Sequence, residues 1–108
     1  MVGDLGKKTI KEQLVLMSYC EEEAAKAQEI ACNIFNSPSP FGVSFSNLIK
    51  EMKFINKYNS AYEACTDLDY YLSVLVRKDF VQVHSQISKT IPRIKYSLTS
   101  RGVDSFTQ

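Results

Sequence analysis

The stretch that decides the reading is "YSLTSRGVDSF", Tyr96 to Phe106, which follows the alternating, basic segment "VQVHSQISKTIPRIK" of residues 81–95. Tyr96 and Leu98 stand at the period of a strand, so both point to one face and into a core. Thr99 ends that strand and caps a following helix, and Gly102 lets the new helix approach a neighbouring backbone closely. The terminal turns bury Val103 and Phe106. Upstream, Phe80, Val81 and Val83 lead into a first strand, while Ile94, Tyr96 and Leu98 alternate with Arg93, Lys95 and Ser97 in a second. Pro92 marks the loop side of the return strand, where a missing ladder donor is tolerated. The expectation is a hairpin with a polar, basic loop, closed by a short helix.

Working outward, "SAYEACTDLDYYLSVLVRKDF" (60–80) opens with Ser60 and Glu63 at capping-box spacing and places Ala61, Cys65, Leu68, Leu72 and Leu75 on one helical face. That predicts a long third helix with a single buried side. Before it, "VSFSNLIKEMKFI" (43–55) predicts a short helix capped by Ser44 or Ser46 that buries Phe45, Leu48, Ile49 and Met52, with "NKYN" as the connection. "NSPSPFG" (36–42) stops the preceding helix, because prolines cannot continue it. From Thr9 to Phe35 the chain lacks Pro and Gly and begins with "TIKE", in which Thr9 and Glu12 form a capping box. A second capping signal, Ser18 to Glu21, leaves open a break into two helices near Tyr19. Ile10, Leu14, Met17, Ala24, Ala31 and Phe35 recur at roughly heptad spacing, interrupted by Glu21 and Gln28. Residues 24–35 are read as packing inward and the earlier part as free to meet a partner.

A chain of 108 residues suits one domain, and 44% hydrophobic with 23% charged residues is a globular composition. No apolar run reaches membrane-span length, and the start lacks the apolar core of a signal peptide, so the expectation is a cytoplasmic protein without membrane association. The cysteines Cys20, Cys32 and Cys65 lack metal-ligand spacing and are read as small buried residues, with one exposed thiol linking two subunits as the alternative. The net charge of +1 hides an asymmetry. Residues 1–43 carry four lysines against six acids, whereas residues 81–108 carry Lys89, Arg93, Lys95 and Arg101 against Asp104. Positive charge therefore concentrates at the hairpin. His84, the single histidine, has no Cys or paired carboxylate near it in sequence and is read as a solvent-facing strand residue. The Glu21–Glu23 run is read as a solvated helix face. No nucleophile triad, phosphate loop, dinucleotide fingerprint or metal set is visible, so neither catalysis nor a cofactor is expected.

Two segments carry a family resemblance. "LSVLVRKDFVQV" resembles the end of a recognition helix running into a first wing strand, and "KYSLTSRGVDSF" resembles the closing Tyr-x-Leu-Thr-x-x-Gly motif of MarR-, PadR- and HxlR-type transcription regulators. The resemblance covers about residues 24–106. It implies an α+β, mainly helical fold: a winged helix-turn-helix domain over 24–108 with a two-stranded wing, preceded by an N-terminal helical extension over 1–23. It implies double-stranded DNA as partner and regulation of transcription as role. The start of the third helix would then enter the major groove with Asn59, Ser60, Tyr62, Glu63 and Thr66, opposite buried Ala61 and Cys65. Lys50, Lys53 and Lys57 would flank that entry on phosphates, and Lys89 and Arg93 would reach the backbone from the wing. A homodimer is expected, with Ile10, Leu14 and Met17 of the N-terminal helix as its seam, and no small-molecule effector. The plainer reading of the same residues is that the lysines form a solvated face, Ser60 and Glu63 only cap, and Tyr62 and Tyr70 are half-buried packing. Glu63, Asp67 and Asp69 oppose a phosphate-rich surface, which keeps a protein-interaction module as the alternative.

Overall fold

The computed structural model describes residues 8–37, 42–56, 58–87 and 92–106, with the backbone alone for residues 52–56, 86–87 and 92–93. Within them the order is α1 (Ile10–Leu16), α2 (Glu21–Phe35), β1 (Val43–Ser44), α3 (Phe45–Asn56), α4 (Ala61–Arg77), β2 (Val81–Ile87), β3 (Pro92–Leu98) and α5 (Ser100–Asp104). The fold is α+β and mostly helical. Its small antiparallel sheet has the order β1-β3-β2.

Local signals build the first helices. The Thr9 side chain accepts from the Glu12 amide and the Glu12 carboxylate accepts from the Thr9 amide, each at 3.1 Å, which completes the capping box. The chain breaks after α1, as one of the two sequence alternatives allowed. Ser18, however, does not cap α2: it takes a left-handed φ of 78° at the end of α1. The Tyr19 amide then donates to Leu14 O and the Ser18 amide to Val15 O, a Schellman ending. α2 starts at Cys20 without a side-chain cap, and Glu21, Glu22 and Glu23 in its first turn complement the helix dipole instead.

α4 ends the same way, with Asp79 at φ 66° and the Phe80 amide donating to Leu75 O at 2.9 Å. This turn buries Phe80 completely and delivers the chain into β2. In the hairpin Val81 pairs with Leu98, Val83 with Tyr96 and Ser85 with Ile94. Thr99 then caps α5 by accepting from the Gly102 amide at 3.1 Å. A Cβ on Gly102 would lie 2.2 Å from Phe80 O, so the expected close backbone approach is present. Phe106 packs against the core and stacks on Phe35 with ring centroids 4.8 Å apart. Val103, expected inside, is exposed; the residue of α5 that is buried is Gly102.

The sheet has one strand more than the two-stranded wing expected. Val43 and Ser44 pair with Tyr96 and Lys95, and Gly42, at φ +102°, precedes the strand where any Cβ would strike Tyr96 O. Ser44 also caps α3, accepting from the Asn47 amide at 3.3 Å.

One core joins all layers. Ile10, Leu14, Ala24, Ile30, Ala31, Leu48, Leu68, Leu72, Leu75, Phe80 and Val81 meet in a single cluster, with Phe45, Ile49, Tyr96 and Leu98 packed against it. Ile10 and Leu14 are fully buried there, so the side chains expected to form a dimer seam lie inside their own chain, and Met17 is half-buried against the same core. The apolar side chains that α1 exposes are Val15 and Leu16. α1 is also tied to the far end of the chain: Gln13 donates to Ser105 Oγ and accepts from Arg101.

Candidate nucleic-acid interface

The start of α4 is exposed up to Glu63, and Ala64 is the first of its residues to be buried. Ser60 caps the helix by accepting from the Glu63 amide at 3.2 Å, and Asn59, Ser60, Ala61, Tyr62 and Glu63 are all exposed, Tyr62 by 80%. Ala61 and Cys65 were expected on the buried face. Ala61 is exposed and Cys65 only half-buried, because the face that meets the core runs through Ala64, Leu68, Tyr71, Leu72 and Leu75. The outward side of α4 consequently carries Tyr62, Thr66, Asp69, Ser73, Val76 and Arg77. The Thr66 hydroxyl donates to Tyr62 O at 2.9 Å, which leaves its oxygen as an acceptor.

The acids on this helix divide. Asp67 turns toward α2, where Lys26 Nζ stands 3.8 Å from its carboxylate; this is the one ion pair among the described residues. The Lys26 ammonium also lies near the rings of Tyr58 and Tyr71, 5.8 and 6.0 Å from their centroids. Burial and the Asp67 carboxylate hold the Tyr58 phenol well above its ordinary value, and burial pushes Tyr71 up to about 12. Glu63 and Asp69 remain on the exposed side. Tyr70 is anchored to α2, its hydroxyl donating to Glu23 at 2.9 Å, and this bond raises its phenol.

Of the basic residues expected at the site, Lys50 is exposed on α3. Lys53 and Arg93 lie on α3 and β3, with side chains outside the described residues; Lys57 and Lys89 lie outside them altogether. The structure brings Lys50 together with Lys95 of β3 in one polar cavity of about 480 Å³, also lined by Asn33, Asn47 and Glu51. Lys95 counts in the hairpin's charge in the sequence, but nothing there joins it to α3. That proximity comes from the β1–β3 pairing.

A second hollow, about 680 Å³, lies between α4 and the hairpin. Thr66, Asp69, Tyr70, Val76, Val83 and Tyr96 line it, and Val76 and Val83 are both exposed. The sequence signal for this surface is Val83, an apolar residue at strand spacing from Val81, which is buried while Val83 is exposed. His84 sits on the opposite face of β2, exposed, with Nε2 2.7 Å from Ser97 Oγ and Lys95 as its cross-strand neighbour. No group of three potential metal ligands gathers among the described residues. None of their helices is long and apolar enough to cross a membrane. The chain matches no protein-family model, no curated protein and no solved structure at a significant level.

Proposed function

We propose that the chain is a winged helix-turn-helix domain that binds double-stranded DNA sequence-specifically, acting in the cytoplasm as a homodimeric regulator of transcription. The observation that carries this reading is the capped, exposed start of α4, with α3 before it and the hairpin leading from its other end. Such a helix start presents free amides to phosphate and its first side chains to base edges. Ser60, Tyr62 and Thr66 are the readers in this arrangement, and Lys50 holds the backbone. The turn of Asp67 toward Lys26 supports it, because one of the opposing carboxylates has a lysine of α2 beside it.

The test is an anisotropy titration of random duplex and of duplex from upstream of its own gene, at two salt concentrations. Binding should weaken steeply with salt and favour the upstream fragment. Lys50→Ala should lower the salt slope by about 1, as loss of one phosphate contact does. Absence of duplex binding at low salt would end the reading.

A second reading, a protein-interaction module without DNA binding, is favoured by one feature: the hollow between α4 and the hairpin, which Tyr70, Val76, Val83 and Tyr96 line together with Arg77 and Asp69. In that case no duplex binds, and a partner's apolar side chains fill the hollow.

A further inference from the structure

β2 is an edge strand, since the sheet order is β1-β3-β2. Seven residues long, it contains no Lys, Arg, Asp, Glu, Pro or Gly. Those are the residues by which proteins keep a free edge from pairing with another chain. Among the described residues its backbone bonds only to β3, and Gln82, Val83, His84 and Ser85 are exposed. β3, by contrast, carries Pro92, Arg93 and Lys95 and lies between two neighbours.

The sequence of this edge is self-complementary about its centre. If two copies of "VQVHSQI" run antiparallel with His84 opposite His84, Val81 faces Ile87 of the second copy, Gln82 faces Gln86 and Val83 faces Ser85. No pair opposes like charges, and the exposed central residues Val83, His84 and Ser85 meet one another across the axis. We propose that the partner of this edge is a second copy of the chain, joined β2 to β2 about a two-fold axis at His84 into one continuous six-stranded sheet. The axis stands perpendicular to the sheet, so it preserves faces. Val83 and Tyr96 share the hollow with α4, which puts both copies of α4 on the same side of the joined sheet. The pairing stands independently of DNA binding, but a two-fold pair of helices on one side is what a two-half-site reader needs.

Two charge variants and a cysteine test it, each read by sedimentation equilibrium with circular dichroism to verify folding. The wild type should approach twice its 12.3 kDa mass as concentration rises. Gln82→Glu with Gln86→Glu sets acid against acid across the axis and should give monomer. Gln82→Lys with Gln86→Glu sets base against acid and should restore the dimer. In a Cys20→Ser background, His84→Cys should form a covalent dimer on mild oxidation, because directly opposed residues have Cα atoms about 4.5–5.5 Å apart, within disulfide reach. Gln82→Cys should not. A wild type that stays monomeric, a dimer indifferent to paired acids, or equal cross-linking at residues 82 and 84 would each overturn the proposal. DNA titration of the same proteins reads the functional proposal separately.

Discussion

At Gly102 a missing methyl group decides how the chain closes. Its Cα approaches the Phe80 carbonyl so nearly that an added Cβ would stand 2.2 Å from that oxygen, and Leu98 Cβ crowds the site at 3.2 Å. The obstacle is backbone, fixed by the Thr99 amide bonding to the same oxygen at 3.0 Å. Gly102→Ala should therefore push α5 off the core at a cost of about 3 kcal/mol, the upper end for overpacking, measured as a lowered urea midpoint. This role was legible in the sequence because Thr99 and Gly102 report a cap by their local spacing, as Thr9 and Glu12 do. Ser18 was misread for the opposite reason. Its capping potential is local, but its left-handed φ is imposed by where Tyr19 must go to pack against the core.

For α4 the length and cap were readable, but the outer face was not. Leu68, Leu72 and Leu75 fix a stripe that can be extended toward the N-terminus through either Ala61 and Cys65 or Ala64, and small residues do not discriminate. The structure chooses Ala64, which is fully buried and continues the stripe of Leu68, Tyr71, Leu72 and Leu75. Ala64→Lys should then unfold or severely destabilise the chain by burying an unpaired charge, while Ala61→Lys should leave the thermal midpoint within the small range of surface changes. Under the DNA proposal Ala61→Lys should also tighten duplex binding and steepen its salt slope by about 1. β1 escaped the sequence because two residues carry no period, and its partner Tyr96 lies far along the chain. The joining of Lys50 with Lys95 was hidden with it.

For the molecule as a whole, α1 is a structural member: Ile10 and Leu14 sit in the same cluster as Phe80 and Leu75. Removing residues 1–19 should cost several kcal/mol, since truncating one buried Leu or Ile already costs about 2–5, and melting by circular dichroism should show it. An appendage serving only a partner would leave the melting temperature unchanged. The contact of α4 with α2 also links the fold to pH, through Tyr58 and Tyr71 around Lys26 and Asp67. Burial disfavours both phenolates first, and the Asp67 carboxylate adds to it, so the folded chain keeps these protons above pH 10, where the unfolded chain releases them. A folded-state pKa raised above the unfolded value contributes stability that is fully present below the unfolded value and is lost as pH rises. The window opens near the ordinary tyrosine value of about 10 and, for Tyr71, runs to about 12. The urea midpoint should fall progressively from pH 10 upward, and Tyr71→Phe, which removes the ionising group while keeping the ring, should reduce that fall. A midpoint equally steep in Tyr71→Phe would place the alkaline sensitivity elsewhere in the molecule.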